Sequence, residues 1–232
     1  MSLPQRLDAV FLDIGGPIYD DENFVDAAVL ALDELLAEQA RGPVDRAAVR
    51  GIYQRIRVEQ AGSFRTALAV EILGDVALRD ELQARTERHW RHPAGTMYAE
   101  VPAFLASMHG GATVGVLANQ PAGVVDDLRR DGVDELIDVW GISGIVGHEK
   151  PSRELFYWAL SQAGTTAERA VHIGNRLDND VRPAAALGFG TVWLLRGDAP
   201  PEPTEQQLAE PDLVVDDLTG LAEVLLGRVG SR

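Results

Sequence analysis

The fold is decided by residues 9–20, which read AVFLDIGGPIYD. A short apolar run ends at Asp13, and two glycines, Gly15 and Gly16, follow almost at once. An apolar run of this length is typical of a buried β-strand, and paired glycines favour a tight turn. The segment therefore predicts a strand that places one carboxylate at the start of a turn.

Apolar runs rich in branched side chains recur along the chain, with helical patterns between them. They occupy residues 113–117, 137–140, 170–173, 191–195 and 213–215. Parallel strands need crossover connections, which are usually helices, so this alternation predicts an α/β fold. We expect a doubly wound, Rossmann-like parallel sheet that is covered by helices on both faces.

Residues 18–92 have a different hydrophobic pattern, with Leu, Val, Ala and Ile spaced among charged residues. Four stretches of this kind, at residues 25–40, 45–60, 64–73 and 75–90, predict four helices. Because the block separates the first strand from the second, we expect an all-helical cap domain inserted into the sheet domain. The predicted boundaries are 1–17 and 93–232 for the α/β core and 18–92 for the cap.

The composition is that of a folded protein, with 46% hydrophobic and 25% charged residues. A formal net charge of -15 disfavours nucleic acid and anionic membranes as partners. The sequence has no cysteine, which excludes disulfides and thiolate metal sites. No stretch reaches the roughly 18 apolar residues of a membrane helix, so we expect a cytoplasmic protein.

Chemically suggestive residues follow four of the predicted strands. In open α/β sheets, ligands bind beyond the carboxyl ends of the strands, so these positions are the ones to weigh. Taken singly, each residue also has a structural explanation, as a turn, cap or solvated residue. The positions are Asp13, Asn119, Lys150 before Pro151, and Asn175 with Asp178 and Asp180.

The order and spacing of these residues resemble the haloacid dehalogenase-like (HAD) hydrolase superfamily. Besides the strand that ends at Asp13, the matching segments are VLAN at 116–119, EKP at 149–151 and HIGNRLDND at 172–180. The resemblance spans nearly the whole chain, with the predicted cap between the first and second motifs.

The resemblance implies roles for these residues. Asp13 would be the nucleophile that forms a covalent intermediate, and Lys150 would neutralise charge on the nucleophile or substrate. Asn119 would donate its amide to a substrate oxygen, and we count Gly16 and Arg176 as further candidates for substrate binding. Arg176 could equally pair with Asp178. Mg²⁺ would be the cofactor, and its predicted ligands are Asp13, the Gly15 carbonyl, Asn175 and Asp180.

Four positions depart from the family pattern. Gly15 replaces an acid/base Asp, a type of group that contributes on the order of 10² to 10⁴ in rate. Pro17 stands where the family usually has Thr, and Ala118 where it has Ser or Thr, which removes hydroxyl donors. Asn175 replaces an acid, which weakens the predicted Mg²⁺ site because hard cations prefer charged oxygens.

We therefore carry three hypotheses. The first is a phosphatase that acts on a small phosphorylated metabolite, an anionic substrate that a local basic pocket would have to receive. The second is a metal-independent 2-haloacid dehalogenase, because a halide leaves without a proton and without a metal. The third is a catalytically degraded member that binds a ligand or a partner.

Overall fold

A six-stranded parallel sheet forms the centre of the structure, a computed structural model that describes residues 3–227. The strand order is β3-β2-β1-β4-β5-β6, the doubly wound order of dinucleotide-binding folds. The predicted α/β class is therefore confirmed. The strands are β1 (Ala9–Leu12), β2 (Thr113–Ala118), β3 (Val139–Ile142), β4 (Ala170–Gly174), β5 (Gly190–Leu194) and β6 (Leu213–Val215).

Eleven α-helices accompany the sheet within the described residues. Four of them lie between β1 and β2: α1 (Asn23–Glu38), α2 (Arg46–Glu59), α3 (Phe64–Leu68) and α4 (Arg79–His89). The others are α5 (Val101–His109), α6 (Val124–Arg130), α7 (Ser143–Val146), α8 (Arg153–Ala163), α9 (Arg182–Leu187), α10 (Glu205–Leu208) and α11 (Leu221–Gly227).

Two predicted elements differ in detail. The third strand begins at Val139 rather than at 137, because a 3₁₀ turn over Asp134–Leu136 occupies the preceding residues. The predicted helix at 64–73 is α-helical only to Leu68 and continues as a π-helix over Ala69–Leu73, which ends at Gly74 with a φ of 80°. Glycine suits this left-handed position because it has no Cβ.

Both faces of the sheet are buried. On one face, alternate strand residues such as Val10 and Val116 pack with α5 and α11. On the other face, Phe11 packs edge to face against Phe189, with ring centroids 6.2 Å apart. This burial explains why the strands are continuous apolar runs rather than alternating ones.

Helices α1 to α4 share a hydrophobic cluster of their own, which includes Leu32, Leu36, Ile52 and Leu82. The chain enters and leaves this helical block along two paired segments, because the Asp20 amide donates to the Thr96 carbonyl. An inserted helical unit is thus in keeping with the packing, while the boundaries at 18 and 92 stay a prediction.

None of the helices within residues 3–227 is long and apolar enough to cross a membrane.

Candidate active site

Three adjacent strands bring the predicted site residues together. Strands β2, β1 and β4 are neighbours in the sheet, and Asp13, Asn119 and Asn175 each follow one of them directly. Because the strands are parallel, all three residues lie at the same edge. Lys150 reaches this edge from the loop between α7 and α8. Ser152, two residues later, caps the start of α8.

A buried lysine lies between two carboxylates. The Nζ atom of Lys150 is 3.0 Å from Asp13 Oδ2 and 2.6 Å from Asp180 Oδ1. The side chains of Lys150 and Asp180 are 2% and 0% exposed, whereas that of Asp13 is 18% exposed. Asp13 is thus the carboxylate that can meet a ligand. Lys150 is the only lysine in the sequence, a signal that could have marked it from the start.

Asn119 holds Lys150 in place. Its Oδ1 accepts the Lys150 amide at 2.6 Å, and its Nδ2 donates to the Lys150 carbonyl at 2.8 Å. The side-chain amide therefore acts like a strand partner for the lysine backbone. Donation from Asn119 to a substrate oxygen stays a prediction.

Asp180 faces inward. Its Oδ1 contacts Lys150 and His172 Nε2, the latter at 3.1 Å, while its Oδ2 accepts the Arg176 amide at 3.0 Å. These partners hold the carboxylate in the protein interior, so its role in the structure is to orient Lys150. Metal binding by Asp180 stays a prediction.

Of the two carboxyl groups that contact Lys150, Asp13 has the higher pKa. Burial raises the pKa of Asp13 to about 7, and the Asp180 charge adds to the rise, although Lys150 opposes it. Asp180 is also buried, but Lys150 and His172 hold its pKa well below its usual range. The two carboxylates in turn raise the pKa of Lys150.

Two polar side chains lie close against the turn after Asp13. Gly16 has a φ of 87°, and a Cβ there would lie 2.0 Å from Asn175 Nδ2. A Cβ on Gly15 would lie 1.8 Å from Asp21 Oδ2. Asp21 thus stands beside the turn, and burial raises its pKa. Sequence reasoning missed this residue, although it belongs to an acidic run just after the turn.

Arg196 was also missed. It follows β5 and donates to the carbonyls of Gly16 at 2.8 Å and Pro17 at 2.7 Å. Its Nη1 pairs with Glu100 at 2.5 Å, and its guanidinium lies 3.6 Å from the Tyr98 ring centroid. Arg196 therefore holds the turn in place. This turn contains Gly16, which we predicted to bind substrate.

A cavity of about 710 Å³ opens between the strand ends and the helical block. Asp13, Gly15, Asn119, Lys150 and Asn175 line it, so the structure brings these predicted residues together. Arginines from both sides add positive charge. They are Arg50, Arg57, Arg65, Arg79 and Arg176.

Arg65 and Arg176 differ in how they are paired. Arg176 donates two hydrogen bonds to Asp178, at 3.0 and 2.7 Å, which is the alternative that we left open. Arg65 makes no hydrogen bond or ion pair with any residue that the structure describes, and it stacks only on Phe24 at 5.6 Å. Burial lowers its pKa. Arg65 is the cavity cation that most needs an anion.

The donors at the cavity fit magnesium in part. Asp13, Gly15 and Asn175 line it and carry oxygen atoms, the ligand type that Mg²⁺ prefers. Within residues 3–227, however, no three His, Cys, Asp or Glu side chains group around a possible metal position. With one carboxylate in the set, a bound Mg²⁺ would depend on substrate phosphate oxygens and water, as is common for this ion.

Comparison with known proteins decides the family. A HAD-hydrolase-like family model matches residues 148–221. A phosphoserine phosphatase from Thermus thermophilus is 34% identical over 178 residues, which cover 71% of this chain and 67% of that protein. The chain belongs to the HAD-like hydrolases.

Two solved structures extend the similarity over the whole HAD fold. The HAD-hydrolase YfnB from Bacillus subtilis, bound to magnesium, is 19% identical with a TM-score of 0.65, over 95% of this chain and 99% of that one. A 2-haloacid dehalogenase from Pseudomonas syringae pv. Tomato DC3000 is 25% identical with a TM-score of 0.62, over 95% and 99%.

Replacing Lys150 tests how much its ion pairs with Asp13 and Asp180 stabilise the fold. Lys150→Met leaves Asp13 and Asp180 buried without a cation, so we expect the free energy of unfolding to fall by about 3–5 kcal/mol. Urea denaturation at pH 7 measures this loss. Arg129→Met, which breaks an exposed pair with Asp126, is the control and should cost at most about 1 kcal/mol. Equal losses of unfolding free energy in both variants would contradict a special stabilising role for the buried Lys150.

The same measurement has a defined pH dependence. Because the folded-state pKa of Lys150 is raised above its ordinary value of 10.5, its stabilising contribution is fully present below that value. The contribution is lost as pH rises through the folded pKa. The difference between wild type and Lys150→Met should therefore persist at about pH 9.

Proposed function

We propose that this HAD-like hydrolase cleaves a small phosphate monoester through Asp13. The observation that carries the proposal is the contact between Asp13 and the buried Lys150 at the floor of an arginine-lined cavity. A relative of known activity is a phosphatase, the phosphoserine phosphatase from Thermus thermophilus.

The reaction would run in two steps. An oxygen of Asp13 bonds to phosphorus while the bond from phosphorus to the ester oxygen breaks, and water then cleaves the aspartyl phosphate to regenerate Asp13. Lys150 offsets the negative charge that gathers when a phosphate approaches Asp13. Magnesium, held by Asp13, the Gly15 carbonyl and Asn175, would supply further neutralisation of the phosphate.

Eight carboxylates and six cations line the cavity, so the support for an anionic substrate comes from one placed cation rather than from the overall charge of the cavity. The chain as a whole carries a net charge of -15, which repels anions at long range. Five arginines line the cavity, and Arg65 has no hydrogen-bonded partner in the described part of the chain. A second anionic group on the substrate, beyond the phosphate, would satisfy the buried guanidinium.

Dehalogenation is the second candidate, supported by Asn175 and by the 25% identity to a 2-haloacid dehalogenase. It would use the same Asp13 nucleophile on a carbon that bears a halogen. Because halide leaves as a stable anion, neither a proton donor nor a metal is needed. The two candidates therefore differ in the leaving group and in their response to chelators.

Phosphate release is the direct test. We expect turnover of small phosphate monoesters by the wild type in the presence of Mg²⁺, a clear loss in chelator, and no detectable turnover by Asp13→Asn. Asp26→Asn changes an exposed carboxylate at the same cavity and should remain active. Halide release from 2-haloacids in chelator, without phosphate release, would replace this proposal with the second candidate. Release of neither product would leave ligand binding as the function.

Removing the unpaired arginine tests substrate recognition. Arg65→Met should raise KM about 10-fold to 100-fold with kcat nearly unchanged, because a hydrogen bond to a charged group contributes about 1.5–3 kcal/mol. Steady-state kinetics on a phosphate ester that also bears a carboxylate measures the change. Arg88→Met alters an exposed arginine that pairs with Glu34 outside the cavity, and its KM should stay at the wild-type value. An unchanged KM in Arg65→Met would exclude Arg65 from recognition.

A further inference from the structure

Gln60, at the end of α2, is a polar residue that the fold buries completely. It is 0% exposed, and its backbone is left-handed, with a φ of 49°. Residues other than glycine hold this conformation where surrounding contacts offset its strain. Because burial of an amide also costs free energy unless the amide is hydrogen-bonded, the contacts of Gln60 have to offset both costs.

The side-chain amide of Gln60 joins two loops of the α/β core. Its Oε1 accepts the Leu177 amide at 2.8 Å, and its Nε2 donates to the Asp198 carbonyl at 2.8 Å. Nε2 also donates to the Arg57 carbonyl of α2 at 2.8 Å. Leu177 follows β4 and Asp198 follows β5, and these strands are neighbours in the sheet. One residue of the helical block thus connects two adjacent loops at the edge where the candidate site lies.

A glutamine amide matches both loops. The Leu177 main chain needs an acceptor and the Asp198 main chain needs a donor, and the amide carries one atom of each kind. An ionised carboxylate could accept but not donate, and an apolar side chain could do neither. The chemistry of position 60 therefore fits the two loops that it binds.

The first of these loops carries Asp180 to the buried lysine. Leu177 begins the π-helix that contains Asp180. The preceding amide, that of Arg176, donates to Asp180 Oδ2 at 3.0 Å, and the other oxygen of Asp180 lies 2.6 Å from Lys150 Nζ. A bond that fixes the start of this helix therefore also fixes the carboxylate that orients the lysine.

The second loop packs against the turn after β1. Arg196 donates to the Gly16 carbonyl at 2.8 Å. A Cβ on Gly197 would lie 3.0 Å from Gly16 Cα, so the loop and the turn are in close contact. Asp198 is the next residue, and its carbonyl accepts the hydrogen bond from Gln60. Both loops that Gln60 binds thus support the surroundings of the nucleophile.

We propose that Gln60 is a positioning residue for the Asp13 nucleophile. It is not among the described residues that line the cavity, so it acts through the two loops and not on the substrate. By fixing them, it keeps the Lys150 ammonium and the turn after Asp13 in the geometry that displacement at phosphorus needs. The inference rests on the proposed phosphatase function, and it makes the docked end of α2 part of the catalytic arrangement.

Other bonds keep α2 docked when the Gln60 side chain is removed. Tyr53 and Arg57 donate to the loop after β5, at 2.6 and 2.8 Å. The Gln60 carbonyl, which every residue type retains, accepts from Arg182 at 2.8 Å. The cavity arginines on α2 should therefore stay in place, so the loss should fall on kcat rather than on KM.

Gln60→Gly tests this role with little effect on the backbone, because glycine adopts the left-handed conformation without strain. In the presence of Mg²⁺, kcat for p-nitrophenyl phosphate should fall about 10-fold to 100-fold, while KM should stay within about threefold of the wild type. Thermal unfolding shows whether the variant is folded. If it is not, Gln60→Asn replaces it with the same expectations, since asparagine tolerates this backbone but is too short to bridge both loops.

Gln207→Ala is the matched control. Gln207 is also a buried glutamine that ties the end of α2 to the core, since its Nε2 donates to the Val58 carbonyl at 2.9 Å. Its other hydrogen bonds within the described residues are to Thr204, so they reach neither loop beside the nucleophile. Both kcat and KM of this variant should stay at the wild-type values.

Hydrogen exchange provides a readout that does not need turnover. The Arg176 amide reports on Asp180, because it donates to that carboxylate. In Gln60→Gly, exchange at the Leu177 and Arg176 amides should become about tenfold faster or more, because Leu177 loses its acceptor and the segment opens more often. Neither amide should exchange faster in Gln207→Ala. NMR of the full chain measures both amides in each variant.

The outcomes are distinct. A fall in kcat together with faster exchange at Arg176 supports the positioning role. A rise in KM with unchanged kcat would overturn it, since Gln60 would then serve only to hold the helical block. Unchanged kinetics, unchanged exchange at Arg176, or the same fall in kcat in Gln207→Ala would overturn it as well. If the wild type releases no phosphate, the proposed function fails, and the catalytic role of Gln60 fails with it even where exchange shows that the loops are coupled.

Discussion

The candidate site depends on one buried cation shared by two carboxylates. Moving the Lys150 ammonium out of water is costly, and only close, well-oriented partners offset that cost. Asp13 provides one partner from the end of β1, and Asp180 provides the other from the π-helix Leu177–Val181 that follows the neighbouring strand β4. Asn119, at the end of β2, binds both main-chain polar groups of Lys150. The parallel order β2-β1-β4 is thus the condition for this ion-pair group.

Charge is distributed unequally around that cation. Asp180 is enclosed by Lys150, His172 and the Arg176 amide, so it keeps the negative charge, whereas Asp13 is raised in pKa and faces the cavity. An approaching anion therefore meets arginines and a nucleophile whose charge is partly compensated. Eight carboxylates share the cavity with these cations, so the buried Arg65, which has no hydrogen-bonded partner among the described residues, is the group best placed to receive an anion.

Much of this could be predicted from the sequence because it depends on local patterns. Apolar runs and helical periodicity indicate the sheet, and residues that end parallel strands must meet at one edge. Spacing does not say which way a carboxylate points, so the contact of Asp180 with Lys150 could not be predicted. His92 and Arg196 were missed because their contacts with this region arise from tertiary packing between distant parts of the chain. Asp21 was missed because only the folded turn of residues 14–19 brings it back beside Gly15.

The glycine at position 15 shows the difference between a motif and a site. A motif records side chains along the chain, but proton transfer requires only that a carboxyl group stand at the right point beside the nucleophile. Residues 14–19 form a turn that brings Asp21 back beside Gly15, so a carboxylate lies next to this glycine although the motif position carries no side chain. What a site can do therefore depends on which groups the fold brings together, and not only on the residues that a motif records.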